Sequence, residues 1–329
     1  MDKVRVGIIG CGGRSYAHVN KLVDFEDVEI VAVADPIEER RLKMAEKTDA
    51  KRIYKDHKEL YDNEATDAID VVYISVEPTA HDGIEEGAIE KGWHFAVEKP
   101  MTLDIDQAEN IAKEARDKKI ITWVGFQDRY LDIVDALREE LPKHKTGLVY
   151  GSWIGGIPML WWWLKKSTCG GQLVEQNIHL LDMLRYLYGE PKSVYATAST
   201  GIVEGVEGYD TDDHSTAVIR FKNSVTATLV SGCYLTKENP GSHNGLLITC
   251  DDMIIDYKLR DSVTFSTRNE VRKLKTTQDH HYVANRTFID AVKSKDASKV
   301  RSPYEDALKT LKLGFAANES METGQVITL

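Results

Sequence analysis

A short glycine-rich turn follows the first apolar segment and limits the folds open to this chain. Val4–Ile9 has the length and composition of a buried strand, and Gly10, Cys11 and Gly12 come directly after it. Without a Cβ, the residue at position 10 lets the backbone turn sharply, and the one at 12 leaves room beside the main chain. About twenty residues further on, Asp35 ends a second apolar run. This order of strand, turn, helix, strand and acid predicts a βαβ unit that binds a dinucleotide.

The turn and the acid also indicate how such a cofactor is held. A helix that starts near Arg14 offers free N–H groups and a positive dipole end to a pyrophosphate. Ser15 stands at the third glycine position of the common fingerprint, where a small residue still permits close packing. The Asp35 carboxylate can accept hydrogen bonds from the adenosine ribose and would repel a 2′-phosphate, which favours NAD over NADP. Arg40 and Arg41, on the next helix, are the residues that could offset this charge.

The first part of the chain alternates between β-branched apolar runs and helical segments. The segments Glu38–Thr48 and Ile105–Lys118 carry apolar residues at helical spacing. This alternation predicts a doubly wound parallel sheet. The predicted strands are Val4–Ile9, Ile30–Ala34, Val71–Ser75, His94–Val97 and Ile120–Val124.

After Gly125 the pattern changes. A helix is predicted over Gln172–Tyr188, ended by Gly189 and Pro191, and two final helices lie near Tyr282–Lys293 and Pro303–Ser320. Extended segments between them predict a large, mainly antiparallel sheet. These segments are Ser215–Phe221, Val225–Gly232, Gly245–Thr249, Met253–Lys258 and Val263–Ser266.

The length of 329 residues suits two domains that each bury a core. We predict an α/β Rossmann domain over residues 1–124 and an α+β domain for substrate binding and oligomerisation over residues 125–329. The last helices would be able to pack back on the first domain. A net charge of −11, from 42 basic and 53 acidic residues, argues against nucleic acid or a membrane surface as a partner. The four cysteines have no CxxC spacing and the apolar start is short, so we expect a cytoplasmic protein without a disulfide framework.

A Glu98-Lys99-Pro100 motif ends the fourth predicted strand. It lies at the carboxyl edge of the sheet, where open α/β folds bind their ligands. A lysine there can donate a proton or hold a substrate hydroxyl, and the proline restricts the backbone that carries it. A surface ion pair at a strand end is the alternative interpretation of these residues alone.

Several motifs occur in one order along nearly the whole chain. They are Val6–His18, Pro78-Thr79-Ala80-His81, Glu98-Lys99-Pro100, Gly125-Phe126, Gly170–Asp182 and Phe288–Val292. Together they resemble the Gfo/Idh/MocA family of NAD(P)-dependent sugar and polyol oxidoreductases. The resemblance implies hydride transfer between NAD and a secondary alcohol of a sugar, glycoside or inositol-like polyol. It also implies a homodimer or homotetramer formed through the open face of the second-domain sheet.

The resemblance places Lys99 in the active site and implies a cis peptide bond before Pro100. It extends the set of cofactor-binding residues around the glycine turn and Glu-Lys-Pro. The predicted cofactor-binding residues are Gly10, Gly12, Gly13, Arg14, Ser15, Asp35, Ser75, Pro78, His81, Glu98, Lys99 and Gln127.

Family members carry an acid four residues before a catalytic histidine, and Glu175 and His179 match these positions. One continuous helix would place both on a polar face together with Asp182. Histidine suits the base that takes the alcohol proton, because its pKa is near neutrality. Glu175 would orient the imidazole or reach the substrate, and Lys99 would hold the reacting oxygen. The chain departs from the usual motif at Glu175, where Asp is common, and at Asn177, where Gly is common.

Further substrate contacts are predicted at Arg129, Trp162 and Trp163. The tryptophan rings would suit the C–H face of a sugar, although tryptophans also fill interfaces, and Arg129 is equally compatible with a surface charge. No metal site is predicted, because a third ligand beside Glu175 and His179 is not fixed by the sequence. Two other functions remain open: redox-assisted glycoside cleavage with recycled NAD, and a non-catalytic NAD-responsive regulator.

Overall fold

The computed structural model describes residues 3–329, which form two units. The first unit contains the residues up to Gln127 together with Asp279–Leu308, and the second contains Asp128–Gln278 and Lys309–Leu329. The first boundary between the units falls at residues 127 and 128, close to the predicted division at 124, and one late helix belongs to the first unit. Within the described residues, no helix has both the length and the apolar character needed to cross a membrane.

The secondary structure of residues 3–329 follows the alternation expected from the sequence. The strands are β1 (Val4–Ile9), β2 (Val28–Ala34), β3 (Arg52–Tyr54), β4 (Val71–Ile74), β5 (His94–Val97), β6 (Thr122–Val124), β7 (Thr146–Ile154), β8 (Pro191–Ser199), β9 (His214–Phe221), β10 (Thr226–Gly232), β11 (Gly245–Cys250), β12 (Ile254–Lys258), β13 (Ser262–Ser266), β14 (Val271–Lys275) and β15 (Ile327–Thr328). The helices are α1 (Gly13–Leu22), α2 (Glu38–Thr48), α3 (His57–Asn63), α4 (Ile84–Lys91), α5 (Ile105–Asp117), α6 (Asp132–Glu140), α7 (Lys166–Cys169), α8 (Gln172–Glu175), α9 (Ile178–Tyr188), α10 (His280–Ser294) and α11 (Tyr304–Thr323).

The first unit is built on a six-stranded parallel sheet with the order β3-β2-β1-β4-β5-β6. Every residue of β4 is buried. A strand covered on both faces has a continuous run of apolar residues instead of an alternation of apolar and polar ones. The prediction of a doubly wound parallel sheet is confirmed. Among the six strands of this sheet, only the short edge strand β3, none of whose three residues is fully buried, has no counterpart among the predicted strands.

Helix α10 joins the first unit although it lies far along the chain. Asp279 caps its N-terminus by accepting hydrogen bonds from the backbone N–H groups of residues 281 and 282. Arg286 and Lys293 each approach Asp27 to 2.7 Å, and Asn285 lies 3.2 Å from His18 on α1. These contacts complete one side of the sheet with residues supplied by the last quarter of the sequence.

The second unit contains a nine-stranded sheet in the order β14-β13-β12-β11-β7-β10-β9-β8-β15. Only the β7–β10 pairing is parallel, so the prediction of a large, mainly antiparallel sheet is confirmed. One face packs with α9 and α11 into an apolar core. The other face exposes apolar side chains that line up across neighbouring strands, among them Tyr195, Val218, Tyr150 and Leu247.

The predicted continuous helix over Gln172–Tyr188 is wrong. Helix α8 ends at Glu175 and α9 begins at Ile178, because Asn177 accepts the first hydrogen bonds of α9 at its backbone carbonyl. The side-chain amide of Asn177 donates to Ser231 Oγ on β10, which ties the break to the sheet.

Candidate active site

The glycine turn of the first unit has the geometry of an anion site. Gly10 has a φ of +84°, and a Cβ on it would collide with the carbonyl oxygen of Ser75 on the neighbouring strand end. Around Gly12, a Cβ would meet no other heavy atom within 4 Å. Gly12 is the N-cap of α1, and glycine has no side chain that could accept from the N–H groups of the first helical turn. These N–H groups are therefore available to an anion in the space beside Gly12. The turn therefore fits a pyrophosphate.

Asp35 is held at the end of β2 by two backbone groups. Its Oδ2 accepts from the N–H of Cys11 at 2.7 Å, and its Oδ1 accepts from the N–H of Ile37 at 2.8 Å. A carboxylate has further acceptor capacity beyond two bonds, which fits the hydroxyls of a ribose. Arg41 places Nη1 3.3 Å from the backbone oxygen of Asp35, so a guanidinium lies beside this site as well.

Glu98 is the centre of a buried ion network beneath Lys99. Its Oε1 lies 2.9 Å from Arg14 Nε and 2.7 Å from His18 Nε2, and its Oε2 accepts from the backbone N–H of Lys99 at 3.3 Å. Burial raises the pKa of Glu98, but Arg14, His18 and Lys99 outweigh burial and hold the pKa well below its ordinary range. The charged carboxylate fixes the backbone from which the Lys99 side chain starts.

Gly125 and Gln127, which follow β6, lie close to the Glu98 network. A Cβ on Gly125 would lie 2.8 Å from Glu98 Oε2, so only glycine leaves room for the carboxylate. In the orientation that satisfies both its polar ends, the Gln127 amide donates to the carbonyl of Gly125 and accepts from Arg14 Nη2 at 3.0 Å. The cis peptide bond between Lys99 and Pro100, expected from the resemblance, is confirmed.

His81 has a different environment from the one predicted for a cofactor ligand. It is buried, its Nδ1 lies 2.6 Å from Glu85 Oε1, and its backbone oxygen accepts from Gln107. Its side chain is therefore directed at α4, and we assign it a structural role. Among the other predicted cofactor residues, Ser15 and Pro78 are buried, Ser75 is half-buried, and Gly13 and Arg14 are exposed at the start of α1.

In the second unit, His179 lies at the start of α9 with its ring stacked on Trp153. The ring centroids are 5.8 Å apart and the planes differ by 28°. The Nδ1 atom lies 3.8 Å from Oδ2 of Asp128. The Asp128 carboxylate also accepts from Arg260, from Nε at 2.6 Å and from Nη2 at 3.0 Å. The imidazole thus faces a carboxylate and an aromatic surface in an almost fully buried place.

Glu175 does not share a continuous helical face with His179. Its Oε2 accepts a hydrogen bond of 2.6 Å from Nε1 of Trp163, a tryptophan that is itself buried. Trp163 is therefore packed inside the unit and does not present an open ring face, while its substrate contact stays a prediction. Trp162 is half-buried and remains a candidate contact.

Arg129 is buried and is not a surface charge. Its Nε lies 2.7 Å from Oδ2 of Asp182, and its Nη2 lies 2.5 Å from Oδ1. Asp182 also accepts from Thr310 Oγ1 at 2.9 Å, and burial raises its pKa although Arg129 opposes the rise. This bidentate pair occupies the guanidinium, so we assign Arg129 to the interior of the unit rather than to the substrate.

Asp128 and Arg260 were not among the predicted site residues. Asp128 stands between Gln127 and Arg129, which were both predicted site residues, and this position was the signal that the sequence offered. Arg260 offered none, because it lies 132 residues away and meets Asp128 only through the fold.

The first unit has a parallel sheet, a glycine turn that fits a pyrophosphate, and an acid after the second strand. The second unit has a large antiparallel sheet. Together these features are typical of a two-domain NAD-dependent oxidoreductase. Residues 4–126 match the oxidoreductase family with an NAD-binding Rossmann fold, and residues 149–255 match the GFO/IDH/MocA C-terminal domain. The chain belongs to the Gfo/Idh/MocA family and is an NAD-dependent dehydrogenase of that family.

Known proteins of related sequence and fold include polyol and sugar dehydrogenases. Myo-inositol 2-dehydrogenase of Thermotoga maritima is 25% identical over 99% of this chain and 98% of its own length. The scyllo-inositol 2-dehydrogenase (NAD(+)) of Bacillus subtilis is 29% identical over 57% of this chain and 54% of its own length. The fold is similar to that of levoglucosan dehydrogenase in complex with NADH and levoglucosan, with a TM-score of 0.88 at 19% identity over 99% of both chains.

Proposed function

We propose that this protein oxidises a secondary alcohol of an uncharged sugar, glycoside or inositol-like polyol with NAD, or catalyses the reverse reduction. The observation that carries the proposal is the buried His179, whose imidazole faces a carboxylate in the second unit. Bound NAD supplies the hydride acceptor, and the chain has to supply a base for the hydroxyl proton. An imidazole is suited to that task near neutral pH.

We assign three side chains to the reaction. His179 accepts the hydroxyl proton, and Lys99 holds the reacting oxygen and shares the proton. Glu175, bound by Trp163 through one oxygen, contacts a substrate hydroxyl. Support for Lys99 comes from the Glu98 network, which ties its backbone to Arg14 and His18 of α1, the helix that follows the glycine turn.

An uncharged substrate is supported by the pairing of arginines in the second unit. Arg129 binds Asp182, Arg185 binds Glu190, and Arg260 binds Asp128, each at 2.8 Å or less. Guanidinium groups bound to carboxylates in this way are neutralised and are poor partners for a phosphate or carboxylate on a substrate. The named relatives that act on inositols agree with this choice.

The test is the nicotinamide absorbance of purified protein mixed with NAD and one candidate at a time: myo-inositol, scyllo-inositol, levoglucosan or glucose 6-phosphate. We expect NADH with at least one of the three uncharged compounds and less with the phosphate. Lys99→Ala and His179→Ala should each lower kcat by about 10² to 10⁴-fold, because each removes a proton-transfer or orienting group. Both variants should still bind NADH in a fluorescence titration.

Three results would count against the proposal. A His179→Ala protein that keeps the wild-type kcat would remove the assigned base. Net cleavage of an aryl glycoside without accumulation of NADH would favour redox-assisted glycoside cleavage. NADH binding without turnover of any member of the panel would favour a regulator.

We also propose that the protein is a homo-oligomer formed through the open face of the second-unit sheet. The support is the row of exposed apolar side chains that crosses neighbouring strands, including Tyr150 and Val218. An apolar sheet face of this kind is usually covered by another surface. A second copy of the same chain is the partner we propose.

A further inference from the structure

Asp128 and Arg260 form a charged pair beside His179 that the proposed mechanism does not yet use. We propose that Asp128 is a positioning residue that orients the His179 imidazole and stabilises its protonated form, and that Arg260 moderates this effect by neutralising part of the Asp128 charge. The inference rests on the proposed role of His179 as the base. It transfers to Asp128 the orienting role that the sequence suggested for Glu175.

The first support is the geometry of the three groups. Oδ2 of Asp128 lies 3.8 Å from Nδ1 of His179, while the Arg260 guanidinium grips the same carboxylate through Nε at 2.6 Å and Nη2 at 3.0 Å. Such a bidentate grip fixes the plane of the carboxylate. With the Nδ1 proton directed at Asp128, Nε2 becomes the nitrogen that accepts the alcohol proton. Catalytic hydrogen bonds are often long in ligand-free proteins and tighten when the substrate binds.

The second support is the stacking that fixes the plane of the imidazole ring. Trp153 stacks on the imidazole, and the Arg260 guanidinium lies 5.6 Å from the centroid of the same indole. One tryptophan therefore contacts both the histidine and the arginine that holds its carboxylate. A flip of about 180° around χ2 keeps the ring in this plane, and the Asp128 carboxylate favours the orientation that turns Nδ1 towards it.

The third support is the backbone of Arg260. This residue has a φ of +57° in the turn between β12 and β13. A non-glycine residue pays roughly 1 kcal/mol or more for the left-handed conformation, which glycine adopts without that cost. From this turn position the Arg260 side chain reaches Asp128, although the two residues lie 132 positions apart in the sequence.

Glu175 is the competing carboxylate, and its position argues against the orienting role. Its Oε2 is bound by Trp163 Nε1 at 2.6 Å, and it lies on α8, beyond the break that separates α8 from α9. The charged and titratable groups near His179 in the second unit include Asp128, its partner Arg260, Tyr257 beside Asp128, and Glu175 four residues earlier in the chain.

The arrangement predicts that two substitutions shift the pKa of His179 in opposite directions. Asp128→Asn removes the carboxylate and leaves the guanidinium, so the pKa of His179 should fall by about one unit. Arg260→Gln keeps a hydrogen-bond donor for Asp128 but removes the neutralising charge, so the pKa of His179 should rise by a similar amount. Damage to the fold alone would not move the two variants in opposite directions.

The measurement is an NMR pH titration of the whole protein carrying ¹³C-labelled histidine. The His179 signal is assigned by its absence from His179→Asn, and no substrate is needed. Arg272→Gln is the matched control, because Arg272 binds Glu140 at 3.0 Å elsewhere in the same unit. The control should leave the His179 titration unchanged, and Asp128→Glu should bring it back towards that of the wild type.

A kinetic experiment completes the test with the best compound of the uncharged panel. Asp128→Asn should lower kcat by about 10²-fold, with the KM for NAD unchanged, because a misplaced base slows the chemical step. The acid limb of the plot of kcat against pH should move to lower pH for Asp128→Asn and to higher pH for Arg260→Gln.

Unchanged His179 titrations in both variants, or shifts of the same sign, would overturn this inference. The proposed function fails in a different way, through a His179→Asn protein that turns over at the wild-type rate.

Discussion

At the scale of single residues, one methyl group added at Gly125 should disturb the buried Glu98 network. A Cβ there would lie 2.8 Å from Glu98 Oε2, and Arg14 and His18 hold that carboxylate in place. Gly125→Ala should therefore lower the free energy of unfolding by about 1–3 kcal/mol, the usual cost of overpacking. It should also lower kcat, since the backbone of Lys99 is fixed by the same carboxylate.

Urea denaturation and steady-state kinetics would check both effects. Gly147→Ala is the control, because its Cβ would find the carbonyl oxygen of Thr249 at 3.8 Å, an ordinary contact distance. A Gly125→Ala protein as stable and as active as this control would show that Glu98 can move without cost.

Asp35 should decide the choice between NAD and NADP. In Asp35→Ala, NADH should bind at least tenfold more weakly, because a hydrogen bond to a charged group contributes about 1.5–3 kcal/mol. The affinity for NADPH should rise relative to the affinity for NADH, because the repelling carboxylate is gone and Arg41 stays beside residue 35.

Fluorescence titrations with both reduced cofactors measure this preference without a substrate. Asp117→Ala, which removes an exposed acid of α5, should leave the preference unchanged. If the ratio of the two dissociation constants were the same in Asp35→Ala as in the wild type, Asp35 would not be the discriminating residue.

At the scale of elements, apolar periodicity predicted the buried strands well and the half-exposed ones poorly. Strands β1 and β5 have the predicted bounds, because all or nearly all of their residues are buried and apolar. Strand β7 was missed because it contains two glycines and exposes Leu148 and Tyr150. Strand β8 was missed because, apart from Tyr195, its outward positions carry small or polar residues.

The candidate site was only partly predictable for a related reason. Motifs that are local in sequence, such as Glu98-Lys99-Pro100, could be assigned to a strand end from their context. The partner of Glu98, His18, lies 80 residues earlier, and the partner of Asp128, Arg260, lies 132 residues later. Pairings over such distances depend on how the strands are ordered, which periodicity does not reveal. The break before Asn177 depends likewise on its contact with Ser231 on a distant strand.

At the scale of the whole molecule, the open face of the second sheet should determine the oligomeric state. Tyr150 and Val218 flank Thr228 in one row across three strands. Replacing both with lysine places two charges on a surface that we expect a second copy to cover, and burying unpaired charges is costly. The double variant should therefore be a monomer in light scattering, with an unchanged circular dichroism spectrum.

Leu42→Lys, which changes an exposed apolar residue of α2 in the first unit, should leave the mass unchanged. A wild-type protein that is already a monomer, or a double variant that keeps the oligomeric mass, would contradict the proposed interface.

The division of the first unit into two stretches of chain has a consequence for biosynthesis. Ser302 accepts a backbone hydrogen bond from Val124 at the end of β6, and α10 contributes Asn285 and Arg286 to contacts with α1 and Asp27. A ribosome that has made the nucleotide-binding strands must still add about 150 residues of the other unit, a span that takes seconds or more to synthesise, before those partners emerge. Until then the nascent Rossmann sheet lacks part of its cover, and maturation of the earliest-made sheet waits for one of the last-made helices.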